Sequence, residues 1–201
     1  MNVGIIIYDA GNLKSVCNAL DANNIDWGLI NTPGDFSKYS HLILPGVGAF
    51  KPAMENLIKK EFVSPIEKHI KSGNPFLGIC VGFQLLFCSS EEQAHTEGLS
   101  VIQGRVENFK EHINDLLIPH VGWNYCAQKQ DTDFNLDKDF YFTHSCFARC
   151  DDEKDILGES EYGIKFVSAV KRDNIVGFQF HPEKSHKYGL SLFKSFKELK
   201  C

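Results

Sequence analysis

One cysteine, Cys80, lies between two glycines in the apolar segment "PFLGICVGFQLLF". The pattern Gly78-Ile79-Cys80-Val81-Gly82 has the form of a nucleophile elbow, a sharp strand-to-helix turn that holds its nucleophile at a strained backbone angle. Side chains two residues before and after the nucleophile would collide there, and glycine avoids the collision. The N–H of Val81 would point toward a substrate oxygen, and a helix N-terminus would favour the reactive thiolate. The alternative is a small buried cysteine beside packing glycines, and the segment alone does not decide between the two.

A thiol nucleophile needs a base, and the base needs a group that holds its ring. The segment "FQFHPEKS" offers His181, with Glu183 two residues later. In an extended segment these two side chains project to the same side, and Pro182 biases His181 away from helical conformation. On its own, His-Pro-Glu is more often a loop with a solvated carboxylate. Joined to the elbow at one edge of a sheet, it predicts a Cys80-His181-Glu183 triad.

A glycine turn, "LPGVGAF", can supply backbone N–H groups around Val47, and a tetrahedral intermediate needs such donors for its oxyanion. Glycine turns after strands also bind phosphates. The dinucleotide fingerprint would need a glycine at position 51, where Lys51 stands, and no G-K-[ST] follows. The histidines and cysteines lack the spacings of metal ligands, so we expect no metal site and no cofactor.

The elements that must position these groups alternate along most of the chain. Strand-like runs ("VGIII", "WGLI", "HLILPG", "PFLGIC", "IVGFQF") are separated by segments with one apolar face at helical spacing. The apolar faces are Leu13, Val16, Cys17 and Leu20; Phe50, Met54, Leu57 and Ile58; and Leu192, Phe193, Phe196 and Leu199. This alternation predicts an α/β fold with a mainly parallel central sheet flanked by helices. Short β-type runs between about Leu99 and Val170 predict an antiparallel extension of the same single domain, residues 1–201.

Composition limits the partners and the compartment. A net charge of −5 argues against nucleic acid as the main partner, and no stretch approaches the ~20 apolar residues of a membrane span. The seven cysteines are scattered rather than framed as in a secreted scaffold, which predicts free thiols in a reducing cytoplasm.

With these motifs assembled, the chain resembles class I (triad-type) glutamine amidotransferases, and within them the glutaminase subunits of imidazole glycerol phosphate synthases. The resemblance is carried in order by "DAGNLKSV", "LPGVGAF", "LGICVGFQLLF", "PHVGWN", "YFTHS" and "GFQFHPEKS". It departs from the usual family pattern at "YDAGN", at Val81-Gly82-Phe83 and at "HSCF". None of these departures removes a catalytic atom, because the contact expected from residue 81 is a backbone N–H.

The resemblance implies a role for each matching residue. Cys80 would attack the side-chain carboxamide of glutamine and form a γ-glutamyl thioester. His181, oriented by Glu183, would protonate the departing ammonia and then activate water. The oxyanion hole would be formed by Val81 and, after a backbone rearrangement, Val47. Gly48, Gln84, Ser145 and Cys146 would hold the amino-acid end of the substrate.

The resemblance also implies a partner, a cyclase subunit with a (β/α)8 barrel that receives the ammonia in a heterodimer serving histidine biosynthesis. Positions that match the family near that interface are Asn12, Trp123, Asn124, Tyr141 and Lys184. Three alternatives remain open at this point. They are the same chemistry feeding a synthase that amidates a cell-surface sugar, a cysteine peptidase or redox-stress protein of similar architecture, and a non-catalytic regulatory scaffold.

Overall fold

Strands and helices alternate along the first half of the chain, and strands dominate the second half. The computed structural model describes residues 2–9 and 13–200. Within these ranges the strands are β1 (Val3–Ile6), β2 (Trp27–Ile30), β3 (His41–Leu44), β4 (Phe76–Ile79), β5 (Ser89–Ser90), β6 (Thr96–Glu97), β7 (Gly104–Asn108), β8 (His120–Gln128), β9 (Lys138–His144), β10 (Cys146–Cys150), β11 (Ile156–Tyr162), β12 (Ile164–Arg172) and β13 (Ile175–Phe178). The α-helices are α1 (Leu13–Ala22), α2 (Phe50–Lys59), α3 (Val63–Lys71), α4 (Val81–Gln84) and α5 (His186–Glu198).

Five strands form the parallel half of the sheet, in the order β2-β1-β3-β4-β13. Strands β1, β3, β4 and β13 are buried along their whole length, as expected for parallel strands covered on both faces. Their apolar side chains belong to one continuous hydrophobic core. The carboxyl ends of β4 and β13 lie side by side, and each is followed by one of the predicted catalytic segments.

Most of the remaining strands form the predicted antiparallel extension, whereas the short β5, which precedes it, pairs parallel with β7. Strand β12 pairs antiparallel with β13, β11 and β10, and β11 leads on to β8 and then β9. The predicted fold class, a mainly parallel central sheet with helices and an antiparallel extension, is confirmed. The assignment of residues 1–201 to one domain stays a prediction.

Some local expectations are corrected. Helix α3 was not predicted, because its apolar face is short. Ile58, placed on the apolar face of α2, is 59% exposed, whereas Phe50, Met54 and Leu57 are buried. In the part of the chain that the structure describes, no helix is long and apolar enough to cross a membrane.

Candidate active site

The turn between β4 and α4 has the geometry of a nucleophile elbow. Cys80 adopts φ 54° and ψ −108°, a conformation that residues with a side chain rarely take. A Cβ added to Gly78 would lie 2.6 Å from the carbonyl oxygen of Gly82, and one added to Gly82 would overlap the carbonyl oxygen of Leu44 in β3. Because backbone atoms lie this close to both glycines, neither position can carry a side chain, and the turn at Cys80 depends on both.

Helix α4 is only four residues long, a single turn. The predicted help from a helix N-terminus is therefore small, because a helix dipole needs several aligned peptide units. Stabilisation of a thiolate at Cys80 has to come from a nearby charged side chain.

The close packing at Gly82 gives a stability prediction. Gly82→Ala is expected to lower the free energy of unfolding by about 2–3 kcal/mol or more, because the added methyl group meets backbone that cannot rotate away. Urea unfolding at 25 °C measures the change. Gly34→Ala is the control: the nearest heavy atom to its added Cβ, Thr32 Oγ1, is 3.9 Å away, so we expect a change within about 0.5 kcal/mol. Equal unfolding midpoints for the two variants would contradict the role given to Gly82.

His181 lies three residues beyond β13, next to the strand that carries the elbow. Strands β4 and β13 are in register with Ile79 opposite Phe178, and the Cys80 N–H donates to the Phe178 carbonyl at 2.8 Å. The His181 N–H donates to the Tyr141 carbonyl, also at 2.8 Å. Both catalytic candidates therefore leave neighbouring strands at the same edge of the sheet, as predicted.

Glu183 holds the His181 ring, with Nδ1 2.7 Å from Oε1, and both side chains are almost fully buried. The predicted contact is present, but the predicted reason for it is wrong. Residues Pro182–Lys184 form a turn of 3-10 helix rather than an extended segment, and this turn brings the carboxylate back to the ring.

The charge of the His181 ring is set by competing effects. Burial lowers the pKa of His181, but the negative charge of Cys80, together with the hydrogen bond and charge of Glu183, outweighs burial and raises that pKa to about 10. A contact between the ring and the Cys80 sulfur also raises this pKa, although among the described residues Nε2 of His181 makes no well-aligned hydrogen bond. The arrangement is that of a cysteine nucleophile beside a histidine ring whose positive charge a buried carboxylate supports.

A small cavity of about 130 Å³ opens beside the Cys80 sulfur. Its volume suits a ligand the size of an amino acid better than a peptide chain. Its walls are Val47, Gly48, Cys80, Val81, Gln84, Glu92, Thr143, His144, Ser145 and Cys146. The structure thus brings together every residue predicted for the oxyanion hole and for substrate binding. Their individual roles stay predictions.

Gln84 is oriented by two internal hydrogen bonds. Its Nε2 donates to the Cys146 carbonyl at 3.1 Å and to Oε1 of Gln179 at 2.9 Å. Because both amide protons are used, Gln84 offers a ligand only its carbonyl oxygen. Gly48, on the facing wall, has a φ of +104°, a backbone conformation that favours glycine.

Glu92 is a wall residue that the sequence analysis missed. Its Oε2 accepts a hydrogen bond from the Phe50 N–H at 2.7 Å, which fixes the carboxylate at the start of α2. The neighbouring Glu91 instead pairs with His95 at the surface. No spacing rule distinguishes the two glutamates, since only the path of the chain after β5 turns Glu92 inward.

The residues predicted to face a partner fall into two groups. Trp123 is 48% exposed, packs edge-on against Tyr141 across the β8–β9 pair, and Nζ of Lys184 lies 5.6 Å from the Tyr141 ring centre. Asn124 projects from the opposite face of β8, where its Nδ2 donates to the Glu161 carbonyl at 2.8 Å. Asn12 lies outside the described residues.

Residues 2–9 and 13–200 contain no group of three or more His, Cys, Asp or Glu side chains placed to hold a metal ion.

A buried cysteine at a strained elbow, a His-Glu pair on the adjacent strand and a pocket of amino-acid size define a thiol enzyme acting on a small substrate. The family model for glutamine amidotransferase class-I matches residues 6–198, and the chain belongs to that family. It is 45% identical over 199 residues to the imidazole glycerol phosphate synthase subunit HisH of Sulfurimonas denitrificans, covering 96% of each chain. It is 44% identical over 203 residues to the subunit of the same name from Wolinella succinogenes, covering 98% of this chain and 99% of that one.

Solved structures agree on the fold. A crystal structure described as a glutamine amidotransferase superposes with a TM-score of 0.77 at 18% sequence identity, covering 98% of this chain and 97% of the other. At that level of identity the likeness concerns the fold alone.

Proposed function

We propose that this chain is the glutaminase subunit of an imidazole glycerol phosphate synthase, and that Cys80, His181 and Glu183 are its catalytic triad. The chain is a glutamine amidotransferase, and its full-length similarity to HisH subunits supports this particular assignment. The observation that carries the triad is the meeting of the strained elbow and the His-Glu pair at the ends of adjacent parallel strands.

The reaction follows from the charges at the site. The Cys80 sulfur attacks the carboxamide carbon of glutamine, and the carbonyl oxygen becomes an oxyanion stabilised by the N–H of Val81 and, after a backbone rearrangement, that of Val47. The imidazolium of His181 gives its Nε2 proton to the nitrogen as the carbon–nitrogen bond breaks, so ammonia leaves and a thioester remains. The neutral ring then takes a proton from water, and the resulting hydroxide attacks the thioester carbon. The carbon–sulfur bond breaks and glutamate leaves, which restores the protonated ring and the free sulfur nucleophile.

The cavity walls have the polarity that the amino-acid end of glutamine requires. The Gln84 carbonyl oxygen and the Glu92 carboxylate can both accept hydrogen bonds from an α-ammonium group. The neighbouring Ser145-Cys146 segment would receive the α-carboxylate. These contacts would place the carboxamide at Cys80.

The partner belongs to the proposal as well. The HisH name describes one subunit of a synthase, and the exposed Trp123, packed on the half-buried Tyr141 beside Lys184, supports a docking surface at the elbow side of the sheet. Exposed aromatic side chains concentrate binding energy when a partner covers them. We assign this surface to a cyclase with a (β/α)8 barrel, which would keep the released ammonia away from bulk water. A cytoplasmic location stays a prediction.

A glutamine-mimicking diazo-ketone tests the proposal on the intact chain. We expect mass spectrometry to find the adduct on Cys80, with protection by glutamine and faster labelling when the cyclase encoded in the same genome is added. Cys126 and Cys150 are poor competitors, because burial raises the pKa of Cys126 to about 12 and that of Cys150 to about 11.

Two outcomes would count against the proposal. Adducts spread evenly over the cysteines would favour a scaffold that has lost the chemistry. Labelling confined to Cys80 that no cyclase accelerates, but that a sugar-modifying synthase does, would assign the ammonia to a different acceptor.

A further inference from the structure

Two buried histidines outside the triad, His120 and His144, face each other across the β8–β9 pair. Nδ1 of His120 lies 2.9 Å from Nε2 of His144, and the two residues are 3% and 6% exposed. The proposed reaction uses neither ring. Two aromatic side chains would fill the same space without the cost of desolvating polar nitrogens, so the pair calls for a reason beyond packing.

The hydrogen bonds around the pair fix the position of every ring proton. Nδ1 of His144 lies 2.7 Å from the Cys146 carbonyl, which can only accept, so this nitrogen carries the proton. In a neutral ring Nε2 of His144 is then an acceptor, and Nδ1 of His120 must donate to it. Nε2 of His120 in turn accepts from Nδ2 of Asn124 at 3.4 Å. The donors therefore run in one direction, from Asn124 through both rings to the Cys146 carbonyl.

Both rings are neutral at physiological pH. Burial lowers the pKa of His120 to about 4. Burial also lowers the pKa of His144 to about 3, against a smaller raising effect of its bond to the Cys146 carbonyl. The one-directional order of donors is thus the resting state of the pair.

The carbonyl at the end of this chain is part of the substrate cavity. It accepts a second hydrogen bond from Nε2 of Gln84, the bond that directs the Gln84 carbonyl oxygen toward the ligand. His144 also lies between Thr143 and Ser145, two other wall residues, and the Thr143 carbonyl is 3.9 Å from the Cys80 sulfur. A shift of the His144 ring would therefore move several walls of the cavity together.

The opposite end of the chain lies behind the exposed surface of β8. Asn124 follows Trp123 directly, with its side chain on the inner face of the strand. The His120 ring is stacked between Phe142 and Tyr162, with ring centres 5.1 and 4.1 Å away, so it has little freedom to rotate. Because the His120 ring cannot rotate freely, a displacement of β8 at Trp123 would also displace His144.

We propose that His120 and His144 are positioning residues that hold the Cys146 carbonyl, and through it Gln84, in the geometry that receives glutamine. The inference rests on the proposed function and adds to it a physical link between the β8 surface and the substrate cavity. The hydrogen bonds of both rings go to each other, to Asn124 and to the Cys146 carbonyl rather than to Cys80 or His181, so their effect is on substrate affinity rather than on the reactivity of the Cys80 sulfur.

Paired amide variants separate this role from simple packing. In His144→Asn the side-chain amide can occupy the place of Nδ1 and still donate to the Cys146 carbonyl, whereas in His144→Gln the amide lies near the place of Nε2. His120→Asn keeps a donor toward His144, and His120→Phe keeps only the stacked ring. Each full-length variant is treated with the diazo-ketone and, separately, with iodoacetamide, which needs no contact with the groups that hold an amino-acid end. Mass spectrometry follows the alkylation of Cys80 itself.

We expect His144→Gln and His120→Phe to raise the half-saturating concentration of the diazo-ketone about tenfold, the effect of losing one buried hydrogen bond. Their rates of Cys80 alkylation by iodoacetamide should stay within about twofold of the unsubstituted chain, and the two asparagine variants should recover most of the loss. If one pair fails to fold, the other pair still gives the comparison.

Three outcomes would overturn the inference. If the half-saturating concentration of the diazo-ketone is the same in each asparagine variant as in the glutamine or phenylalanine variant at that position, the histidines have a packing role only. A parallel loss of iodoacetamide reactivity would mean that the pair acts on the sulfur itself. If the diazo-ketone does not label the unsubstituted chain, the proposed function is refuted, and this inference with it.

Discussion

Glutamine hydrolysis is expected to fall by about 10⁴-fold or more when Cys80 is replaced by serine. A serine hydroxyl has a far higher pKa than a thiol, so it gains no stable anion from the His181 imidazolium. The site contains a charge partner suited to a thiolate, and a hydroxyl gains much less from that charge. Glutamate release by the complex with its cyclase, measured at saturating glutamine, reports the loss in kcat.

The fold should survive this substitution. Serine is slightly smaller than cysteine and can adopt the same backbone angles, so urea unfolding should change by no more than about 1 kcal/mol. Cys17→Ser, on α1 away from the cavity, is the matched control and should retain full activity. Comparable losses in the two variants would remove Cys80 from the role of nucleophile.

The elbow was predictable because its causes are local. Gly78 and Gly82 are needed wherever the chain makes this turn, and the surrounding backbone oxygens show the predicted collision. The pairing of His181 with Glu183 was also predictable, since the two lie two residues apart. Its backbone basis was not, because the choice between an extended segment and a turn of 3-10 helix depends on how the segment after β13 packs.

Residues whose position depends on contacts distant in sequence could not be predicted. Glu92 reaches the cavity by binding the N–H of Phe50, 42 positions away. His120 and His144 meet only because β8 and β9 pair in one register, and a shift by one residue would turn one of the rings to the other face. The same register places Asn124 inside and Trp123 outside, which the motif "PHVGWN" could not distinguish.

His181→Gln is expected to lower glutamine hydrolysis by about 10³–10⁴-fold, because the departing ammonia then lacks its proton donor and the thiolate its counter-charge. Glu183→Gln keeps the size of the side chain and removes only its charge. The rate of glutamine hydrolysis by Glu183→Gln should lie between those of His181→Gln and the unsubstituted chain. Glutamate release in the cyclase complex again measures it.

Stability at alkaline pH gives an independent check on the charge of His181. Its folded-state pKa of about 10 lies above the ordinary 6.5, so the folded state holds the proton more tightly than the unfolded state. The stability that this provides is fully present below pH 6.5 and is lost as the pH rises to about 10. Above about pH 8.5, where a thiol in the unfolded chain also loses its proton, the free energy of unfolding should therefore decrease more steeply up to pH 10 in the unsubstituted chain than in His181→Gln. Parallel curves for the two proteins would show that the ring is neutral in the resting site, and the thiolate would then need another source of stabilisation.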